Sequence, residues 1–207
     1  SRGLRVTAAD LSASMLAQTS RLAAERGVNV RTAQHAAEEL PYPGGNFGLV
    51  TCRVAAHHFS SVEGFLREAH RVLRPGGWLL VIDGAAPDDA PEAEEWIHRV
   101  EKLRDPSHGR FLRPSCWRAL ATAAGFDVER CDCTPLKQPD LEWYFRTADT
   151  CAENRRRVVE LVDNAPAEAR RVFRIGREEG RVVWWWPRMT LLGRKGDNAK
   201  NSTSLIM

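Results

Sequence analysis

The sequence predicts an α/β protein built on a doubly wound, mostly parallel sheet, with a further strand at the C-terminal end. Three observations carry that prediction. Short apolar runs alternate with helical patterns from residue 4 to residue 84, and the joins are short and marked by Gly, Pro or a capping Ser. The run Trp78-Leu79-Leu80-Val81-Ile82 is continuously apolar, as a strand covered on both faces must be. A further apolar stretch, Met189 to Leu192, stands beyond the alternation and reads as the last strand.

Each element has its own signal. Leu4 to Ala9 reads as a strand ending at Asp10; Ser12 then caps a helix that runs to Arg26 and stops at Gly27. Met15, Leu16, Leu22 and Ala23 recur at helical spacing, which predicts one buried stripe. Val28 to Ala33 is a second strand. The turn Pro41 to Asn46 leads into Phe47 to Cys52, an apolar run suited to a buried parallel strand. Ser60-x-x-Glu63 has the form of a capping box, followed by the stripe Phe65, Leu66, Ala69, Val72 and Leu73. Pro75-Gly76-Gly77 ends that helix before the strand at 78–82. Trp96, Ile97, Val100 and Leu103 mark another helix, and a further one runs from Ser115 to Ala124, before Gly125. Phe126 to Leu136 alternates like a strand, residues 140–175 are mainly helical, and Val182 to Leu192 is a strand interrupted by Pro187, which implies an edge or bulge nearby. Residues 1–195 form one domain on this reading, and 196–207 a disordered tail.

Composition excludes several functions. Thirty basic residues against 27 acidic ones leave a formal charge of +3, too small and too dispersed for a nucleic-acid-binding face. No apolar run reaches the roughly 20 residues that a membrane span needs. Five scattered cysteines, with only Cys131 and Cys133 at close spacing, form neither a disulfide framework nor a metal set, which fits a reduced, cytoplasmic protein.

In a doubly wound sheet, ligands gather at the carboxyl ends of the strands. Here that rim carries Asp10-Leu11, His35 to Glu38, Arg53 to Phe59 and Asp83-Gly84. An acidic side chain after a strand can accept two hydrogen bonds from a ribose diol; since Ser12 is a sufficient helix cap, Asp10 is free for such a role. A neutral imidazole of His57 or His58 would suit proton removal, but one ring packed at the sheet rim and the other solvated explains the pair better, so no catalytic residue is assigned. On a strand, Trp184 and Trp186 share a face that could line an aromatic acceptor or simply fill the core. Asp105-Pro106-Ser107-His108 has no accompanying nucleophile elbow, so it gives no hydrolase.

The ordered series Ala37-Glu38-Glu39-Leu40-Pro41-Tyr42-Pro43, Phe47-Gly48-Leu49-Val50, Ala56-His57-His58-Phe59 and Arg67 to Gly77 resembles the class I S-adenosylmethionine-dependent methyltransferases of the ubiquinone/menaquinone C-methyltransferase-like type. The resemblance covers residues 4–84, with weaker similarity at 104–108, 117–120 and 190–195. It implies the Rossmann-like methyltransferase fold with an antiparallel C-terminal strand, S-adenosylmethionine as cofactor, and a small-molecule methyl acceptor, aromatic or quinone-like. Carried over by position, Asp10 matches the residue that holds the ribose hydroxyls, Leu11 and Met15 flank the adenine, and Ala36-Ala37 reads the adenine edge. Arg53 and Val54 face the methionine moiety through backbone, and His58 lies where cofactor and acceptor meet. Segments 85–112 and 137–180 would cover the acceptor.

The sequence departs from that family in three ways. The glycine-rich loop and the first strand before it, central in the family's sheet, are missing; Ala36 stands where an Asp commonly accepts from the adenine amino group; and Gly48 replaces the usual Asp after Phe47. The resemblance therefore implies a sheet with a gap and exposed edges, an incomplete fragment of a longer protein, and weak or no cofactor binding and activity for the sequence as it stands. A catalytically silent α/β interaction domain, or another nucleotide-binding α/β enzyme such as a dehydrogenase, remain as alternatives, and oligomeric state is open.

Overall fold

The computed structural model describes residues 3–197, so most of the proposed tail lies outside the described residues. The elements follow the order β1 (Val6–Asp10), α1 (Ala13–Glu25), β2 (Val30–Gln34), β3 (Phe47–Arg53), a 3-10 turn (Ala56–His58), α2 (Val62–Val72), β4 (Leu73–Gly84), α3 (Pro91–Arg104) and α4 (Pro114–Ala123). Then come β5 (Phe126–Lys137), α5 (Leu141–Arg146), α6 (Ala152–Asp163), α7 (Ala167–Val172), β6 (Gly176–Glu178), β7 (Arg181–Val183) and β8 (Trp185–Lys195).

The main sheet has the order β3-β4-β8-β5. β3 and β4 are parallel, whereas β8 runs antiparallel to both β4 and β5. β5 therefore points the same way as β4, and β8 alone of the four is reversed, as the family resemblance implies. β1 and β2 form a separate parallel pair, and β6 and β7 a small hairpin. Among the described residues, neither β1 nor β3 pairs on its second edge.

Packing around the main sheet follows from α2 and β4. Ser61 caps α2 by accepting from the Gly64 backbone N–H at 2.9 Å. The cap is thus one residue later than the capping-box pattern implies, because Ser60 gives both its N–H and its hydroxyl to Glu38. Phe65, Leu66, Ala69, Val72 and Leu73 are all buried, and all but Val72 share one core with Leu79, Val81, Trp117 and Leu191. Each large side chain so buried contributes roughly 1.5–3 kcal/mol. A second core lies under the helical cap, where Trp96, Ile97 and Val100 of α3 meet Phe111, Tyr144, Phe173 and Trp184. Tyr144 donates its hydroxyl to the buried Glu101 carboxylate at 2.6 Å, and Arg104 donates to the Tyr144 carbonyl at 3.1 Å, which fixes α5 on α3.

Pro187 sits inside β8, opposite Pro135 of β5, and on its other side its carbonyl accepts from the Ala85 N–H at 2.9 Å, one step past the last β4 pair at Gly84 and Arg188. Having no N–H, Pro187 cannot return that bond, and the β4–β8 ladder ends there, at the end of a strand, where proline is tolerated.

Two burial expectations are corrected. The stripe of α1 is not buried: Met15 is 48% and Leu22 44% exposed, and only Ala23 is covered. β3 is likewise not a strand covered on both faces, since Leu49 is 50% exposed and Cys52 alone is buried. The physical reason is common to both. An apolar pattern forms its element locally, but burial needs a neighbour, and β1, α1 and β3 each lack one on the side where β1 and β3 stay unpaired.

Candidate functional site

The parallel pairs place the carboxyl ends of β1 and β2 together and those of β3 and β4 together. One side chain joins the two groups. Oε1 of Glu38, four residues beyond β2, accepts from the Ser60 N–H at 2.8 Å, the Ser60 hydroxyl at 2.9 Å and the Ser61 N–H at 3.2 Å. Burial would raise the pKa of Glu38, but these bonds from Ser60 and Ser61 outweigh it and hold the carboxyl below its ordinary range. The segment after β2 is thereby drawn onto the 3-10 turn that follows β3.

On the β1–β2 side, Asp10 Oδ1 accepts from the Ser12 N–H at 2.8 Å, while the Ser12 hydroxyl caps α1. Oδ2 of Asp10 meets no partner among the described residues. Gln34 Nε2 donates to the Leu11 carbonyl at 2.9 Å and binds the ends of β1 and β2 to one another. Leu11 and Met15 project into the open beside Asp10. His35 braces the next turn, with Nδ1 2.9 Å from the Ala36 carbonyl and Nε2 2.9 Å from the Tyr42 hydroxyl. Ala36 and Ala37 are half-buried there, Ala37 against the core.

On the β3–β4 side, Arg53 is exposed and Val54 has φ 52. A β-branched residue in the left-handed region is strained. It is held there by its N–H, which donates to the Ile82 carbonyl at 2.8 Å. Strain of this kind re-aims the backbone just where β3 leaves the sheet.

The 3-10 turn sends its two imidazoles in different directions. His58 turns toward the cap, with Nδ1 3.1 Å from the Ser107 hydroxyl and Nε2 3.9 Å from Asp105. Ser107 donates that hydroxyl to Asp105 at 2.6 Å, so its proton is already committed, in keeping with the rejected hydrolase reading. His57 is buried, and Nδ1 lies 2.7 Å from Oδ1 of the buried Asp83. His108 and Phe111 pack beside it. Burial, with the neighbouring imidazoles of His57 and His98, pushes the His108 pKa down to about 3, so that ring is neutral. Both rim groups were legible as single segments; their pairing was not, because His57 and Asp83 are separated by a whole helix.

The comparisons with known proteins agree with this architecture. Residues 1–81 match the methyltransferase domain model. The chain is 36% identical over 168 residues to the uncharacterized methyltransferase YcgJ of Bacillus subtilis, covering 79% of this chain and 64% of that protein. The YcgJ crystal structure is similar at a TM-score of 0.84 and 31% identity, covering 94% of this chain and 83% of that one. YafE of Escherichia coli is 37% identical over 142 residues, 68% of each chain. A demethylmenaquinone methyltransferase of Thermus thermophilus is 40% identical over 145 residues, 61% of this chain and 65% of that one. The chain thus spans about two thirds of the curated relatives it matches. A Rossmann-like sheet with one reversed strand, matched in sequence along its first 81 residues and in structure over most of its length, places this chain in the methyltransferase domain family.

Proposed function

We propose that the chain is an S-adenosylmethionine-dependent methyltransferase domain acting on a small-molecule acceptor of aromatic or quinone-like character, in the cytoplasm. The observation that carries this reading is the Glu38 bridge, which brings the ends of β2 and β3 to one rim beside Asp10. When bound, the donor supplies a methyl group already activated on a sulfonium, so the protein's main task is alignment.

The residues present fit the adenosyl half of that donor. Asp10 keeps Oδ2 uncommitted for a ribose hydroxyl, and the open Leu11 and Met15 side chains give apolar and soft sulfur surface for a base. Ala36 offers no carboxylate, which leaves recognition of the adenine edge to the backbone at Ala36-Ala37. Backbone at Arg53-Val54, turned by the left-handed Val54, faces the methionine end, with His58 at the border with the acceptor. Trp186, half-buried between Phe111 and Tyr144 at ring-centroid distances of 6.0 Å and 5.7 Å, is the member of that cluster left partly uncovered under the cap, since Phe111 and Tyr144 are themselves buried. Similarity to the demethylmenaquinone methyltransferase supports a quinone-like acceptor. Five free thiols support a reducing compartment.

S-Adenosylhomocysteine titrated against residues 1–207 is the test. Binding weaker than micromolar is expected, with amide resonance changes centred on Asp10, Leu11, Ala37 and Val54, and Asp10→Ala should remove them. No change at millimolar ligand, or changes that survive Asp10→Ala, would sink the reading. A second reading, a silent interaction domain, is favoured by the uncovered Leu11, Met15 and Leu49; it requires that the ligand leave these amides untouched.

A further inference from the structure

His57 is held at every polar atom but one. Its backbone N–H donates to Asp83 Oδ2 at 3.0 Å, and its carbonyl accepts from the N–H groups of Gly109 at 2.8 Å and Arg110 at 3.2 Å. A side chain at Gly109 would place its Cβ 2.8 Å from that carbonyl, so the loop can close on His57 only because residue 109 has none. The ring is boxed by Phe111, His108 and His58, at centroid distances of 5.2, 5.3 and 4.1 Å. Asp83, only 2% exposed, also takes the Gly84 N–H at 2.8 Å.

This geometry fixes the tautomer. A carboxylate only accepts, so the 2.7 Å contact requires the hydrogen on Nδ1, and the lone pair of the neutral ring then lies on Nε2. Nε2 meets no partner among the described residues. His58 differs in its setting: it is a third exposed, its Nδ1 bonds the Ser107 hydroxyl and not a carboxylate, and its Nε2 lies 3.9 Å from Asp105.

We propose that His57 is the general base of this site, that Asp83 is the residue that positions it, and that the acceptor is a phenol-class molecule with an ionisable hydroxyl. The proposal rests on the methyltransferase reading above. The hydroxyl proton passes to His57 Nε2, and the imidazolium so formed is stabilised by the Asp83 carboxylate 2.7 Å from Nδ1. The electron pair released on the acceptor forms the new bond to the methyl carbon as the carbon–sulfur bond of the donor breaks, leaving its pair on sulfur. Around His57 the titratable groups are Asp83 from β4, His58 from its own turn, His108 and Asp105 from the loop after α3, and Glu101 from α3.

The test needs no methyl donor. Nitrogen NMR of the unliganded full chain should show His57 with hydrogen on Nδ1, and Asp83→Ala, which removes the acceptor, should let the hydrogen move to Nε2. In neutral buffer, 4-cyanophenol, which is mostly un-ionised when free, should shift its ultraviolet absorption toward the phenolate on binding to wild type. His57→Gln should lower the ionised fraction by at least about tenfold. Hydrogen on Nε2 in wild type, no phenolate shift with wild type, or an unchanged shift with His57→Gln would each overturn the proposal. The Gln variant and the wild-type spectrum decide it even if Asp83→Ala fails to fold. Failure of the methyltransferase reading shows separately, in the S-adenosylhomocysteine titration alone.

Discussion

The first 54 residues and the segment from α2 to β8 obey the same local rules with different results. α1 and α2 are both capped by a serine at the expected geometry, and each carries an apolar stripe. In α2 the stripe is buried against β4, β8 and α4; in α1 it lies in the open. Eight of the ten exposed large hydrophobics fall between Leu4 and Val54, so the difference is regional, not accidental. The lesson is that secondary structure and stability are set at different levels. A cap and a periodic stripe suffice to make a helix, but only a neighbour converts that stripe into free energy.

Four measurements would break or sharpen this contrast. Hydrogen exchange should show the largest effect: amides of β4 and β8 are expected to be protected to the level of global unfolding, and those of β1, α1 and β2 to exchange orders of magnitude faster by local opening. Equal protection would mean that the N-terminal pair has partners not seen here. Next, Leu79→Ala should cost about 2–5 kcal/mol in urea unfolding, as for a fully buried leucine, whereas the exposed Leu22→Ala should stay within about 0.5 kcal/mol.

Smaller effects are expected where the two regions are tied. The bond from Arg71 to Glu68, opposed in part by burial and helped by the Leu40 N–H, holds Glu68 down at about 2. Because this folded-state value is depressed, its stabilisation is present above the unfolded pKa and is lost as pH falls from the ordinary glutamate range through about 2. Acid titration of Glu68→Gln should therefore lack that component, and the tie of the 40–42 turn to α2 should loosen in parallel. The smallest change is expected at Val54. Val54→Gly relieves a left-handed valine while adding freedom to the unfolded chain, so the midpoint of thermal unfolding should hold or rise slightly, by no more than about 1 kcal/mol of stability. A clear loss would show that the valine side chain, and not its backbone, is what the rim needs.

Much of this molecule was determined by its sequence alone. Ser12 and Gly27 bound α1, Gly125 ends the turn after α4, the α2 stripe is buried as written, and the run from Trp185 to Lys195 forms the last strand. These features rest on short-range geometry, on dihedral freedom and on spacing, which neighbouring residues carry. Tertiary structure decided the rest. It placed β8 at the centre of the sheet, moved the α2 cap to Ser61 by giving Ser60 to Glu38, left α1 and β3 uncovered, and joined His57 to Asp83 across 26 positions of chain. Those outcomes depend on which distant groups satisfy a hydrogen bond or cover an apolar face, and no local pattern encodes the identity of a distant partner.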